Sequence, residues 1–273
     1  MIERHRVLAC RTAAVVLFAA TTNLSAQRTN DQARLAVGIS GGYVSSLHLW
    51  DVDQPICSVG LSCNPETWHL TRELRSDISL SGSVTYFPRP HFGFTGEFTY
   101  LGLGSTDGCT IVHDNGDPDL AAACNALKGD QRPASVTTMQ GGAIYRPLTR
   151  TLIQPYFKGM AGLAFTPLST VEMESIYGVV ADTAVLQLTV YRDPAWKPIR
   201  VSASLAAGFA TAPSSGYQIR AEVRETWLPL SMVAGPVSEG QGFVPSITHA
   251  FRHVISVMVG FDVVLEKNRG RRY

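Results

Sequence analysis

The sequence has few charged residues and no long apolar run. Asp, Glu, Lys and Arg make up only 16% of its 273 residues, which is low for the surface of a water-soluble protein. No run of about eighteen apolar residues occurs, so no transmembrane helix is predicted. The 23 basic and 22 acidic residues nearly cancel, which argues against nucleic acid as a partner. Low charge without a spanning helix is typical of proteins that cross a membrane with β-strands whose residues alternate between apolar and polar.

The sequence also lacks the usual motifs of a catalytic or cofactor site. It contains no phosphate-binding glycine loop and no nucleophile elbow, and its cysteines do not have zinc-site spacing. The segment HDNGDPD at 113–119 is rich in carboxylates, but it has neither the spacing nor the terminal glutamate of a calcium loop. We therefore predict no cofactor and no metal, and we expect 113–119 to be a solvated loop.

The N-terminal segment predicts export from the cytoplasm. Arg4, Arg6 and Arg11 precede an apolar run at 13–20, and residues 24–26 resemble a cleavage site. We expect 1–26 to be a signal peptide that is cleaved. At the other end, 267–273 form a basic tail, which we expect to be a disordered periplasmic end.

The segment 77–102 has the strongest pattern in the chain. Its two arms alternate between apolar and small polar residues, and a proline-containing turn at 87–91 separates them. A period of two over two arms of about ten residues predicts a β-hairpin. The apolar faces carry Ile78, Leu80, Gly82, Val84 and Tyr86 on the first arm and Phe92, Phe94, Gly96, Phe98 and Tyr100 on the second.

The same alternation predicts eight strands, at 34–47, 77–86, 92–102, 134–146, 152–165, 199–210, 217–227 and 255–265. Short turns at 87–91, 147–150 and 211–216 alternate with long segments at 48–76, 104–133, 166–198 and 229–248, and 184–190 could extend strands beyond the membrane. Aromatic residues lie near both ends of the strands, as in outer-membrane barrels. We predict an all-β fold over 27–266: an eight-stranded antiparallel up-and-down transmembrane β-barrel with four long extracellular loops and three short periplasmic turns.

Four cysteines follow the predicted signal peptide, and all lie in the first two long segments. They are Cys57, Cys63, Cys109 and Cys124. An even number behind a signal peptide predicts disulfides in an oxidising compartment. Three pairings are open, and we favour Cys57–Cys63 and Cys109–Cys124 because each pair falls within one segment.

The polar faces of the strands carry charges that a closed barrel would enclose. They are Glu97, Lys158, Arg200, Arg220, Glu222, Arg224, Arg252 and Asp262. Eight strands leave room inside only for side chains, and enclosed charges must pair. We therefore predict an ion-pair network that fills the lumen, with Glu97 bonded to Lys158, Arg220 or Arg224. The alternative is a polar pore or a proton path.

With these features the chain resembles the small eight-stranded outer-membrane barrel family of OmpA and OmpX type, over about 33–266. The resemblance implies residence in the outer membrane of a Gram-negative-type bacterium after export to the periplasm. It also implies contact with outer-membrane lipids, lipopolysaccharide and the barrel assembly machinery. No periplasmic peptidoglycan-binding domain follows the predicted barrel, so the cell-wall anchoring of OmpA is not implied. The last strand ends near Leu265, whereas family members usually end on an aromatic residue.

Three functions are compatible with this pattern. The leading hypothesis is a non-enzymatic barrel with a structural or adhesive role, whose disulfide-clipped loops meet an extracellular ligand or surface partner. The second is a lipid-modifying enzyme, because lipid A deacylases resemble this size class and use a histidine with a serine and an acidic partner. His249, His253 and Ser256 are the candidates, although His253 and Ser256 lie on opposite faces of a regular strand. The third is a secreted lipocalin-like ligand binder with its apolar face inside.

Overall fold

The computed structural model describes residues 35–56, 65–132, 134–149, 151–178, 185–211, 216–237 and 244–265. In chain order the elements are β1 (Leu35–Val44), β2 (Leu47–Ile56), β3 (Glu66–Leu74), β4 (Asp77–Tyr86), β5 (Phe92–Gly102), β6 (Ser105–His113), α1 (Pro118–Leu127), β7 (Gln131–Arg132), β8 (Ser135–Tyr145), β9 (Ile153–Phe165), β10 (Met173–Gly178), β11 (Val185–Tyr191), β12 (Ile199–Thr211), β13 (Tyr217–Gly235) and β14 (Ser246–Leu265). Within these ranges no helix is long and apolar enough to span a membrane. The expected signal peptide, the basic tail and the expected Cys57–Cys63 disulfide lie outside the described residues.

Eight of the strands close into an antiparallel barrel in the order β1-β14-β13-β12-β9-β8-β5-β4. β1 closes the ring by pairing with β14 on one side and β4 on the other. The predicted eight-stranded barrel is confirmed. Some boundaries differ from the prediction: the first strand ends at Val44, and the last two strands extend to Gly235 and from Ser246. These extensions continue above the barrel.

The two faces of the barrel differ in polarity. Outward side chains are apolar and strongly exposed, with Ile39 at 70% and Met139 at 65%. Inward side chains such as Ser81, Glu97 and Gln140 are polar and buried. Soluble monomers rarely expose large contiguous apolar patches, so this exterior fits a lipid environment. The lipocalin-like alternative, with the apolar face inside, is wrong.

Aromatic side chains ring the barrel near both ends. At the end with the short turns, exposed rings come from Tyr86, Phe92, Tyr145, Phe209 and Tyr217, and at the opposite end from Tyr43 and Tyr100. Aromatic rings at two levels are typical of the two interfaces of a membrane. The apolar band between them is the membrane-spanning part of the barrel.

Glycines let neighbouring strands approach closely inside the barrel. A Cβ on Gly142 would lie 2.0 Å from the carbonyl oxygen of Gly159, and a Cβ on Gly162 would lie 2.0 Å from that of Met139. No side chain fits at such distances, so the tight curvature of a small barrel requires glycine at these inward positions. Gly141, the outward neighbour of Gly142, would place a Cβ no closer than 3.9 Å to its nearest contact.

The described parts of the four long connections lie together at one end, as predicted, and they are folded. β2, β3, β6 and β7 form a four-stranded sheet, and β10 pairs with β11. The sequence pattern had indicated additional strand only at 184–190. We call this extracellular unit the cap and define it as the described residues of 45–76, 103–134, 166–198 and 228–254.

One hydrophobic core holds the cap together and joins it to the barrel. Its fully buried members include Leu49, Trp68, Leu70, Leu74, Leu101, Leu103, Leu127, Met173, Tyr191 and Leu228. The same core includes Val44, Val136 and Ala164, which come from the upper ends of barrel strands. The cap therefore packs directly on the mouth of the barrel.

The helix α1 packs against β6 and β10. Asp117 caps its N-terminus, because the Asp117 side chain accepts hydrogen bonds from the backbone N–H groups of Asp119 and Leu120, and the helix begins at Pro118. Gly129, with φ +80°, lies just beyond its end. The segment 113–119, which we expected to be a solvated loop, thus contains the start of a helix.

Candidate functional site

Two carboxylates and two cations form a closed group in the middle of the lumen. The Nζ atom of Lys158 lies 2.9 Å from Glu97 Oε2 and 3.0 Å from Glu222 Oε2. The guanidinium of Arg224 contacts both carboxylates as well. All four side chains are almost fully buried. Their charges cancel, and each charge has partners of opposite sign, which is what burial of ions demands.

Hydroxyl groups satisfy the remaining bonding positions of this group. Thr99 Oγ1 donates to Glu97 Oε1 at 3.0 Å and accepts from Arg224 Nη1 at 3.0 Å. Tyr156 Oη donates to Glu222 Oε2 at 2.7 Å. Neither residue was singled out from the sequence. Their positions in the sequence could have indicated this role. Alternation places Thr99 on the same inward face as Glu97, and it places Tyr156 on the same inward face as Lys158.

A second charged group lies nearer the short turns. Arg220 Nε is 3.5 Å from Asp262 Oδ1, and Arg220 Nη2 donates to Ser83 Oγ at 2.9 Å. Gln218 Nε2 donates to Asp262 Oδ2 at 3.1 Å. Of the three partners expected for Glu97, the structure supplies Lys158 and Arg224. Arg220 pairs with Asp262 instead.

Arg200 and Arg252 do not join the lumen network. Arg200 lies within 3.1 Å of both His249 Nδ1 and Ser231 Oγ, and Arg252 Nη2 donates to the carbonyl oxygen of Leu49 at 3.2 Å. Within the described ranges neither forms an ion pair. Their placement in the lumen was wrong because alternation predicts which face a side chain occupies and not its height along the barrel axis. Both residues bond to the cap.

Side chains close the barrel below and above the charges. At the short-turn end, Phe87, Ile144, Tyr156 and Ala210 pack together, and the guanidinium of Arg146 lies 3.9 Å from the centre of the Phe87 ring. At the other end the core of the cap covers the mouth. The lumen is therefore filled at three levels, which favours the ion-pair network over the polar pore.

Arg72 connects three parts of the cap. Its Nε and Nη2 atoms donate to the two carboxylate oxygens of Asp107 at 2.6 and 2.7 Å, and both side chains are buried. Its Nη1 atom donates to the carbonyl oxygens of Thr170 and Glu172 at 3.0 and 2.8 Å. Such a two-pronged arginine–carboxylate pair fixes geometry as well as charge. It joins β3, β6 and the segment before β10.

Two further links stiffen the cap. Cys109 on β6 and Cys124 on α1 form a disulfide with a Cα–Cα distance of 5.5 Å. The Tyr191 hydroxyl donates to Gln54 Oε1 at 3.1 Å, and the backbone N–H of Val237 donates to the same oxygen at 2.7 Å. Burial raises the pKa of the Tyr191 hydroxyl above its usual range, because the charged form would lose its hydration.

The outer face of the sheet β2-β3-β6 is polar and solvent-exposed. His69 Nδ1 lies 2.7 Å from Asp53 Oδ1, and His48 lies 3.5 Å from Asp51 and 3.6 Å from Glu73. Across the described ranges no group of three or more His, Cys, Asp or Glu side chains has the geometry of a metal site. This face presents carboxylates, imidazoles and threonine hydroxyls to the outside.

The histidines of the last strand occupy different positions. His253 faces outward, where its Nδ1 lies 2.5 Å from Glu225 Oε1 and 2.9 Å from Trp227 Nε1. Ser256 faces the lumen and is 1% exposed. The two side chains are on opposite faces, so they do not form the nucleophile and base of a triad, which must be within hydrogen-bond reach.

The closed barrel, its apolar exterior and its filled lumen together define the class of protein to which the chain belongs. The protein is a small eight-stranded β-barrel of the outer-membrane type, and its apolar exterior fits a lipid bilayer. No protein-family model matches the chain, and no curated protein matches its sequence.

Several solved structures are similar to the chain. Neisserial surface protein A has 10% identity and a TM-score of 0.41, and the match covers 85% of this chain and 97% of that one. OprG from Pseudomonas aeruginosa has 12% identity and a TM-score of 0.39, with 87% and 100% covered. Ail of Yersinia pestis has 11% identity and a TM-score of 0.33, with 85% and 98% covered. At this level of similarity, function has to be inferred from the chain's own residues.

Proposed function

We propose that this protein is a non-enzymatic outer-membrane barrel that presents its folded cap to an extracellular ligand or surface partner. The observation that carries the proposal is the shared core of the cap. A connection that only joins two strands needs a few residues and no core. Here the long connections bury tryptophan and leucine side chains against one another, and so form a stable surface above the membrane.

The way the cap is held supports a binding role. Arg72 and the Cys109–Cys124 disulfide restrain separate parts of the cap. A preordered surface loses little conformational freedom when a partner binds, which favours affinity. We assign the binding face to the polar outer side of β2-β3-β6, because Asp51, Asp53 and Glu73 are exposed there.

Other functions have less support. The filled lumen disfavours transport through the barrel, and the separation of His253 from Ser256 removes the serine considered for lipid A deacylation. For partners during biogenesis, we expect the barrel assembly machinery to insert the chain. Lipids and lipopolysaccharide are then expected to surround its apolar band.

Adhesion of bacteria that display the protein tests this proposal. A non-adherent Gram-negative host would express the wild type or a variant with Asp51→Ala, Asp53→Ala and Glu73→Ala. Attachment to cultured epithelial cells and to plastic would be counted. We expect the wild type to increase attachment over the empty vector, and the triple variant to lose the increase.

The control is Arg89→Ala, at an exposed position in a short turn at the opposite end of the barrel. It should adhere like the wild type. Surface labelling and the heat-dependent gel mobility of folded barrels verify that all variants reach the surface. Equal attachment of the wild type and the vector on both surfaces would contradict an adhesive role.

A further inference from the structure

The side chain of Arg200 lies where the apolar band of the barrel ends on the cap side. Its neighbours on β12, Ile199 and Val201, point outward and are 51% and 63% exposed, and they are the last outward residues of that strand. The Arg200 guanidinium contacts Ser231 and His249 in the part of β13 and β14 that extends above the barrel. This position is level with the polar part of the outer leaflet.

The positive charge of Arg200 has no carboxylate partner among the described residues. Two carboxylates on adjoining segments have other partners. Asp193 Oδ2 accepts from Ser169 Oγ at 2.7 Å, and Glu225 Oε1 lies 2.5 Å from His253 Nδ1. Because Arg200 is half-buried, its charge has lost part of its hydration without gaining a counter-ion. An anion bound at this position would supply the missing partner.

Arg200 and His249 offer hydrogen-bond donors to such an anion. A guanidinium can only donate, so His249 Nδ1, 3.1 Å from Arg200 Nη1, is the acceptor, and the neutral ring carries its proton on Nε2. Arg200 Nη2 donates to Ser231 Oγ at 3.1 Å. Within the described part of the chain, the other N–H groups of Arg200 and the Nε2–H group of His249 have no acceptor. Guanidinium and imidazole donors side by side suit a phosphate group.

We propose that Arg200 and His249 bind a phosphate group of lipopolysaccharide in the outer leaflet. Lipopolysaccharide carries phosphates on the sugars that join its acyl chains, so these phosphates lie directly above the apolar layer. Arg200 has this position beside Ile199 and Val201. Its N–H groups donate to two phosphate oxygens, and His249 Nε2–H donates to a third. The exposed ring of Phe251, on the same face of β14 as His249, contacts the lipid next to the phosphate.

A purely structural role for Arg200 is the competing interpretation, since Arg200 joins β12 to β13 and β14. Arg252 shows how such a role looks in this protein. It also has no ion pair among the described residues, but its Nε atom donates to Met232 Sδ at 2.9 Å and its Nη2 atom to the carbonyl oxygen of Leu49 at 3.2 Å. Both of these contacts are made within the cap. Arg200 instead shares its contacts with the exposed His249, which faces the surrounding lipid.

Binding of purified lipid A, the membrane anchor of lipopolysaccharide, tests the proposal. The protein would be refolded in a detergent free of lipopolysaccharide. It would then be titrated with bisphosphorylated lipid A and with the same lipid after removal of both phosphates, and native mass spectrometry would measure the bound lipid. We expect the wild type to bind the bisphosphorylated form about tenfold more tightly. Arg200→Gln should abolish this preference, and His249→Ala, at an exposed position, should lose part of it.

Arg252→Gln is the matched control and should keep the preference of the wild type. Heat-dependent gel mobility and protease resistance of the cap verify that each variant is folded. The proposal is overturned if the wild type binds both lipids equally or if either folded variant keeps the full preference. A cap that loosens in Arg200→Gln while the preference persists would assign Arg200 a structural role only. Inorganic phosphate that binds the wild type as tightly as lipid A would assign the site to a free anion instead.

Discussion

Lys158 contacts both carboxylates of the central lumen group. Replacement by Met would leave Glu97 and Glu222 buried with one cation between them. Breaking a buried ion pair from one side typically costs about 3–5 kcal/mol. We expect Lys158→Met to lower the free energy of unfolding by this amount, as measured by urea titration with heat-dependent gel mobility as the readout.

A second substitution separates charge from packing in this prediction. Lys158→Met combined with Glu97→Gln removes one charge of each sign, so it should recover part of the lost stability. Non-additivity of this kind reports direct coupling between two side chains. If the double variant is as unstable as the sum of the single variants, the two residues are not coupled and the ion-pair interpretation fails.

Gly141 and Gly142 are neighbours that should respond oppositely to the same change. Gly142→Ala forces a Cβ against the backbone of β9, and overpacking of this kind costs about 1–3 kcal/mol. Gly141→Ala points into open space and should change stability by no more than about 0.5 kcal/mol. Urea unfolding of both variants in the same detergent provides the measurement, and equal losses would show that curvature does not require Gly142.

Within the cap, β3, β6 and the segment before β10 depend on Arg72. Arg72→Met would leave the Asp107 carboxylate buried without its partner. The cap should therefore loosen while the barrel stays closed, because the barrel has its own ladder of backbone hydrogen bonds. We expect trypsin to cleave the cap of the variant on intact cells, with the barrel fragment keeping its heat-dependent mobility.

Arg75→Met provides the matched control for this experiment. Arg75 lies close to Arg72 in sequence, but it is exposed and bonds to the side chain of Gln131. Its loss should leave the cap as protease-resistant as in the wild type. Loss of the barrel itself in Arg72→Met would indicate that cap and barrel unfold as one unit.

The whole molecule is predicted to be closed to ions. Packed side chains lie at the short-turn end, at the central ion pairs and under the cap. Purified protein inserted into planar lipid bilayers should therefore show no stepwise conductance. Steady single-channel currents that change in Lys158→Met would establish a pore through the lumen and overturn this prediction.

At the scale of the whole molecule, the sequence alone determined the barrel and its two faces. Alternation with a period of two assigns each side chain to one face of the barrel. The lengths of the connections distinguish the end with the long loops from the end with the short turns. These are local properties of the chain, so Glu97, Lys158 and Glu222 could be placed in the lumen without coordinates. The pairing of Cys109 with Cys124 was within reach for the same reason, because both lie in one connection.

Only the tertiary structure shows which charged side chains meet, because this depends on the register between strands. Alternation carries no information on height, so only the register separates Arg200 and Arg252 from the lumen charges and brings Glu97 to Lys158 and Arg224. The fold of the cap could not be predicted from the sequence for a similar reason. Its strands become stable only when Trp68 and Leu70 from the first connection and Tyr191 from the third share one core. Such burial is a property of the assembled fold, which no single segment of the sequence contains.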